Sequence, residues 1–194
     1  AAPLPRVLLL GDSISMGYHA TVVAGLDDEA TLVRPKENCE GTTKGIRRIG
    51  DWLELEGGDF DVVHFNFGLH DLKRVGADGR NSDDPDDPPQ ADLENYQQNL
   101  RSIAQTILAS GATPVFCTTT PVPEGGVRPH RDPADVELYN EIAFKVMSEL
   151  GIRVNDLHSF AAERLEDIQI PINVHFNRPG SIALGDQVTG NIRK

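Results

Sequence analysis

The chain has 194 residues, 39% of them hydrophobic and 25% charged, with a net charge of −12. That length allows one domain with a sizeable core, and residues 1–194 read as a single domain. The acidic balance argues against nucleic acid, whose phosphates need a basic surface, and against an anionic membrane face. No apolar run approaches the ~20 residues that span a bilayer. The opening Ala1-Ala2-Pro3-Leu4-Pro5 reads as a mature end left by signal cleavage, hence a secreted or periplasmic protein. A cytoplasmic protein is the other reading of the same residues.

Strand-like and helix-like segments alternate along the chain. Residues 6–10 predict a strand and 15–24 a helix; 31–34 a short strand and 43–56 a helix. Residues 61–67 (DVVHFNF) are rich in β-branched and aromatic side chains and predict the third strand. A long helix is expected over 91–110, where Leu93, Tyr96, Leu100, Ile103 and Ile107 recur at helical spacing, with Gly111 as its stop. A strand at 113–119, a helix at 133–150 closed by Gly151, and a strand at 152–155 follow. Short helices are expected at 159–166 and 179–192. This alternation implies a parallel sheet with helices on both faces, whose sites form beyond the C-terminal strand ends. Two long loops, 75–90 and 121–132, have the length of binding loops or lids.

Gly11-Asp12-Ser13-Ile14-Ser15 follows directly on the apolar run Val7-Leu8-Leu9-Leu10. A serine there sits at the mouth of the sheet, at the start of a helix whose free N–H groups favour negative charge. A serine hydroxyl needs a base, and His175, in Val174-His175-Phe176-Asn177, offers a neutral imidazole near pH 7. The plainer alternatives are a helix N-cap for Ser13 and an idle loop histidine for His175. Asp12 is expected to brace the turn by accepting backbone N–H bonds. Cys117 reads as a small core residue and Cys39 as a loop residue, with a bridge between them left open. The acidic run at 83–87 lacks the ligand spacing of a calcium loop and reads as a solvated, proline-stiffened loop. No metal and no cofactor is expected.

These residues resemble the GDSL/SGNH hydrolases. Gly11-Asp12-Ser13-Ile14-Ser15 is similar to the family's first block. Asn38-Cys39-Glu40-Gly41-Thr42-Thr43 is similar to the second, with Gly41 as its glycine. Phe67-Gly68-Leu69-His70-Asp71 stands where the third block belongs, and Val174-His175-Phe176-Asn177-Arg178-Pro179-Gly180 resembles the fourth. The resemblance implies a three-layer α/β/α sandwich on a five-stranded parallel sheet, flavodoxin-like in architecture. It implies Ser13 as nucleophile, His175 as general base, and an oxyanion hole from the Ser13 and Gly41 N–H groups plus a third-block side chain.

Two departures stand out. The third-block asparagine is replaced by His70, which can donate through one ring nitrogen or serve the structure instead. The aspartate three residues before the histidine is replaced by Ile172, with Asn173 beside it. Asn173 or a backbone carbonyl is then expected to orient His175, giving a Ser13–His175 dyad or an incomplete triad; Asp71 and Asp156 are the other acids available for recruitment in space. Asp71, Arg128 and His130 are candidate substrate contacts, with Arg131 beside them, although the plainer reading of 128–131 is a solvated charged loop. The implied activity is a serine esterase acting on short-chain, above all acetyl, esters of small molecules or carbohydrates. The alternatives are a non-catalytic ligand-binding domain on a hydrolase scaffold and, further off, a flavin carrier.

Overall fold

The computed structural model describes residues 3–194. β1 (Arg6–Leu10) is flanked by β2 (Thr31–Val33) on one side and β3 (Val62–Phe65) on the other. β4 (Thr113–Cys117) and β5 (Arg153–Asn155) complete a wholly parallel sheet of order β2-β1-β3-β4-β5. Val7 lies opposite Leu32 and Val62, and Leu10 opposite Phe65. Val7 to Leu10 are all buried, the uninterrupted apolar run that a strand covered on both faces requires.

The strand order also settles the layers. The step from β1 to β2 runs along the sheet in the opposite sense to every later step. Right-handed crossovers therefore put α1 (Ser13–Gly25) on one face and α2 (Thr42–Leu53), α3 (Leu93–Ala109) and α4 (Pro133–Leu150) on the other. The final helix α7 (Arg178–Ile192) packs against α1, after two short helices, α5 (Leu157–Ala162) and α6 (Leu165–Ile168). The reversal of strand order beside β1 opens a crevice at the C-terminal strand ends.

The elements agree with the sequence reading, and the differences have local causes. α1 begins at Ser13 because Asp12 is its cap, accepting the Ile14 N–H at 2.9 Å. β3 stops at Phe65, short of residue 67, and Tyr96 donates from its hydroxyl to the Phe67 carbonyl at 2.8 Å. α2 ends at Leu53 and gives way to a 3₁₀ turn in which Glu56 has a positive φ. The helix expected over 159–166 is two short helices, because Asp156 caps the first one earlier, accepting the Ser159 N–H. Cys39 and Cys117 are both buried free thiols.

The two long loops are tied together rather than loose. The Arg74 N–H donates to the His130 carbonyl and the His130 N–H to the Ser82 carbonyl, each at 2.9 Å. Asp83 pairs with Arg128 at 3.4 Å, and Asp84 accepts the Asp86 N–H within the acidic run. Together these loops form one wall over the strand ends.

Candidate active site

With Asp12 serving as the cap, the Ser13 hydroxyl is free for another partner. It meets His175 Nε2 at 2.9 Å across a sequence separation of 162 residues. His175 reaches that place from the turn between α6 and α7. The Ile170 N–H donates to the His175 carbonyl at 3.0 Å, and Gln169 bridges to Phe176. Asn177 then caps α7 by accepting the Gly180 N–H at 2.8 Å and donates from Nδ2 to the Asp167 carbonyl.

Asn173 Oδ1 lies 2.7 Å from His175 Nδ1 and also accepts the His175 backbone N–H at 2.9 Å. This is an Asx turn, which brings the side-chain oxygen to the residue two places on. It fixes more than position. A backbone N–H can only donate, so the Asn173 atom facing it is the oxygen. That same oxygen can only accept from Nδ1, so the ring proton sits there and the Nε2 lone pair faces Ser13. An amide thus selects the tautomer a carboxylate would. Ile172, where the family's aspartate would stand, has φ 53, a left-handed conformation costly for a β-branched residue.

Neither alternative acid reaches the imidazole. Asp156 accepts from the Thr118 hydroxyl at 3.0 Å and from Ser159. Asp71, expected as a substrate contact, is fully buried; its Oδ1 accepts both the N–H (2.9 Å) and the hydroxyl of Thr42. It holds the turn at Gly41, the N-cap of α2, from beneath. A Cβ on Gly41 would stand 2.9 Å from Asp71 Oδ2 and 3.2 Å from its backbone nitrogen, which is why only glycine fits.

Burial pushes the Asp71 carboxyl up to about 7, against 3.8 when free. The folded state therefore keeps a proton that the unfolded chain releases. This contribution to stability is complete below the free value, falls as pH rises towards 7, and is flat beyond. Asp71→Asn, which mimics the protonated group, is expected to remove a slope of up to about 1.4 kcal/mol per pH unit in that window. Urea denaturation of both proteins from pH 4 to 8 measures the difference; parallel curves would contradict it.

His70 is half-buried and lines the same cleft as the serine, and Lys73 Nζ approaches its Nδ1 at 3.4 Å. Burial, reinforced by the Lys73 charge, pushes His70 down to about 3, so the ring is neutral at working pH. An ammonium only donates, so Nδ1 is the acceptor and Nε2 carries the proton. His70 therefore keeps its one N–H donor on Nε2.

The cleft has a volume of about 470 Å³, within the usual range for small-ligand sites. Ser13, His175, Asn173 and His70 line it, with Arg128 and Arg131 from the 121–132 loop. His130 does not line the cleft; its backbone carries the contacts between the two loops, so the substrate role expected for it is corrected. Sequence reasoning missed Lys73, Asn38 and Asn81. Lys73 follows His70 by three residues, but no periodicity marked that spacing as meaningful.

The model of the GDSL-like lipase/acylhydrolase family matches residues 9–181, and the chain belongs to that family of ester hydrolases. Solved structures share the fold over nearly their whole length. An acetyl xylan esterase, AlAXEase, superposes with a TM-score of 0.77 at 17% identity, covering 96% of this chain and 99% of its own. A lipase/acylhydrolase from Enterococcus faecalis gives 0.78 at 20% identity, with coverages of 98% and 96%. A catalytic mutant of an acetylxylan esterase from Geobacillus stearothermophilus gives 0.78 at 16% identity, with coverages of 99% and 95%. No curated protein sequence matches significantly.

Proposed function

We propose that the chain is a serine esterase for short acyl, above all acetyl, esters of polyhydroxylated alcohols such as carbohydrates. The observation that carries the reading is the continuous relay Ser13 Oγ to His175 Nε2 (2.9 Å) and His175 Nδ1 to Asn173 Oδ1 (2.7 Å). A scaffold retained only for binding has no use for a serine held against a tautomer-fixed imidazole.

In the first half-reaction Ser13 Oγ attacks the acyl carbon while His175 Nε2 takes the hydroxyl proton. The oxyanion accepts hydrogen bonds from the Ser13 and Gly41 N–H groups and from His70 Nε2–H. His175 returns the proton to the departing alcohol oxygen as the C–O bond breaks, leaving acyl-Ser13. Water then attacks the acyl carbon, giving its proton to His175. Collapse releases the carboxylic acid and restores Ser13. Asn173 acts throughout as a positioning residue. The acetyl preference draws support from the acetylxylan esterases that share the fold, and from a cleft of about 470 Å³ in which Asn38, Asn81 and Asn173 stand among Leu69, Val127, Ile172 and Val174.

A chain-length series of 4-nitrophenyl esters, with acetylated xylan alongside, tests this reading. The acetate should be cleaved fastest, with a steep decline towards the octanoate; a preference for long chains, or no hydrolysis by folded protein, would sink it. His70→Ala should lower kcat on the acetate by roughly 10²–10³-fold with little change in KM, the loss expected for one oxyanion donor. An unchanged kcat would return His70 to a structural role.

A further inference from the structure

The protein carries a net charge of −12, yet three cations line the cleft: Lys73, Arg128 and Arg131. Among the described residues the sole carboxylate in the lining is Asp12, buried and committed to capping α1. Two of the cations are themselves buried, Lys73 at 8% exposure and Arg131 at 6%. Among the described residues neither has a carboxylate within 4 Å. Their hydrogen bonds go to neutral groups. Lys73 reaches only His70 Nδ1 at 3.4 Å. Arg131 gives Nε to the Leu69 carbonyl at 2.7 Å and Nη1 to the Pro129 carbonyl at 3.4 Å.

Buried cations without a counter-ion are costly, because removing charge from water is offset only by an opposite charge nearby. Glu40, Asp71 and Asp12 act on these two groups from a distance and do not pair with them. An ammonium has three donors and a guanidinium five, so most of this donor capacity remains unused. The transient oxyanion does not call for it, since Ser13, Gly41 and His70 already supply that hole.

We propose that the ester accepted by this cleft bears a carboxylate, which Lys73 and Arg131 bind, with Arg128 drawing it in from the rim. The proposal rests on the esterase reading above and narrows it to anionic esters. The carboxylate has two possible sources: the acyl group, as in a succinyl ester, or the alcohol, as in an acetylated uronic acid. Arg128 suits the outer role, being 82% exposed and only loosely paired with Asp83 at 3.4 Å.

Two matched pairs test it on the whole chain. One is 4-nitrophenyl hemisuccinate against 4-nitrophenyl butyrate; the other is an acetylated methyl glucuronoside against the corresponding acetylated methyl glucoside. In at least one pair kcat/KM for the anionic member should be about tenfold higher or more, the worth of a charged hydrogen bond. Which pair shows it identifies the side that carries the charge. The advantage should shrink in 0.5 M salt and vanish in Lys73→Gln, whose amide still offers His70 a donor. Equal kcat/KM within both pairs would overturn the proposal while leaving the esterase intact. So would a Lys73→Gln loss that is the same for anionic and neutral esters, which would confine Lys73 to holding His70. If no ester were cleaved, the esterase reading would fail first, and calorimetry would decide the rest. Titration with monomethyl succinate against methyl butyrate, and with methyl glucuronoside against methyl glucoside, should show the anion bound about tenfold tighter in one pair. Equal affinities in both would overturn it.

Discussion

Ser13→Ala should reduce kcat for 4-nitrophenyl acetate by about four to six orders of magnitude, the scale on which serine hydrolases lose turnover without their nucleophile. The hydroxyl is the atom held against His175 Nε2 at 2.9 Å, and among the described residues no other hydroxyl or thiol contacts that nitrogen. The fold should survive the change. Asp12 rather than Ser13 caps α1, so alanine deletes no backbone partner of the helix. Thermal unfolding and far-ultraviolet circular dichroism should therefore match the parent within about 0.5 kcal/mol, the usual range for a surface substitution. The variant keeps the Ser13-position N–H, Gly41 and His70, so any residual rate measures the oxyanion hole alone. Turnover within tenfold of the parent would remove Ser13 from the mechanism.

The second large effect belongs to Asn173. In serine proteases, exchanging the triad aspartate for asparagine lowers turnover by ~10⁴, because the amide enforces the wrong tautomer. Here the same residue type enforces the right one, since the His175 backbone N–H turns the amide oxygen inward. Asn173→Ala releases the ring and should cost about 10²–10⁴ in kcat with little effect on KM, approaching the loss seen with a mis-set tautomer. Asn173→Asp keeps both contacts and adds a charge opposite the developing imidazolium. Charge-assisted bonds are roughly twice as strong as neutral ones, so kcat should rise by up to about tenfold. Steady-state kinetics on 4-nitrophenyl acetate distinguishes the cases: an unaffected alanine variant, or an inactive aspartate variant, would contradict the tautomer argument.

The sheet was legible because its physics is local. Val7 to Leu10 are buried on both faces and read as a continuous apolar run, and the helices announce themselves through periodicity and terminal glycines such as Gly151, which adopts the left-handed cap. Ser13, Gly41, His70 and His175 stand out because short motifs carry them: Ser13 just after β1, Gly41 at the start of α2, His70 after β3, and His175 in the turn between α6 and α7. Asn173 was legible as a neighbour, but its service depends on an Asx turn that a three-residue spacing rule does not describe. Asp71 was misread for a clear reason: adjacency to His70 suggested the cleft, whereas the tight turn after Phe67 sends its side chain inward to Thr42. His130 was misread because a polar side chain in a loop reveals nothing about which side of the loop it faces. Lys73 and Arg131 matter through burial without a counter-ion, a three-dimensional property with no sequence signature.

The measurement that bears most directly on the central claim is covalent labelling with a fluorophosphonate ester, read by peptide mass spectrometry. Such reagents capture a serine only when a base activates it beside an oxyanion hole. The account predicts a single adduct, on Ser13, formed rapidly in the parent chain, much slowed in His175→Ala and absent in Ser13→Ala. Ester hydrolysis by a chain that acquires no adduct, or an adduct on any residue other than Ser13, would contradict it.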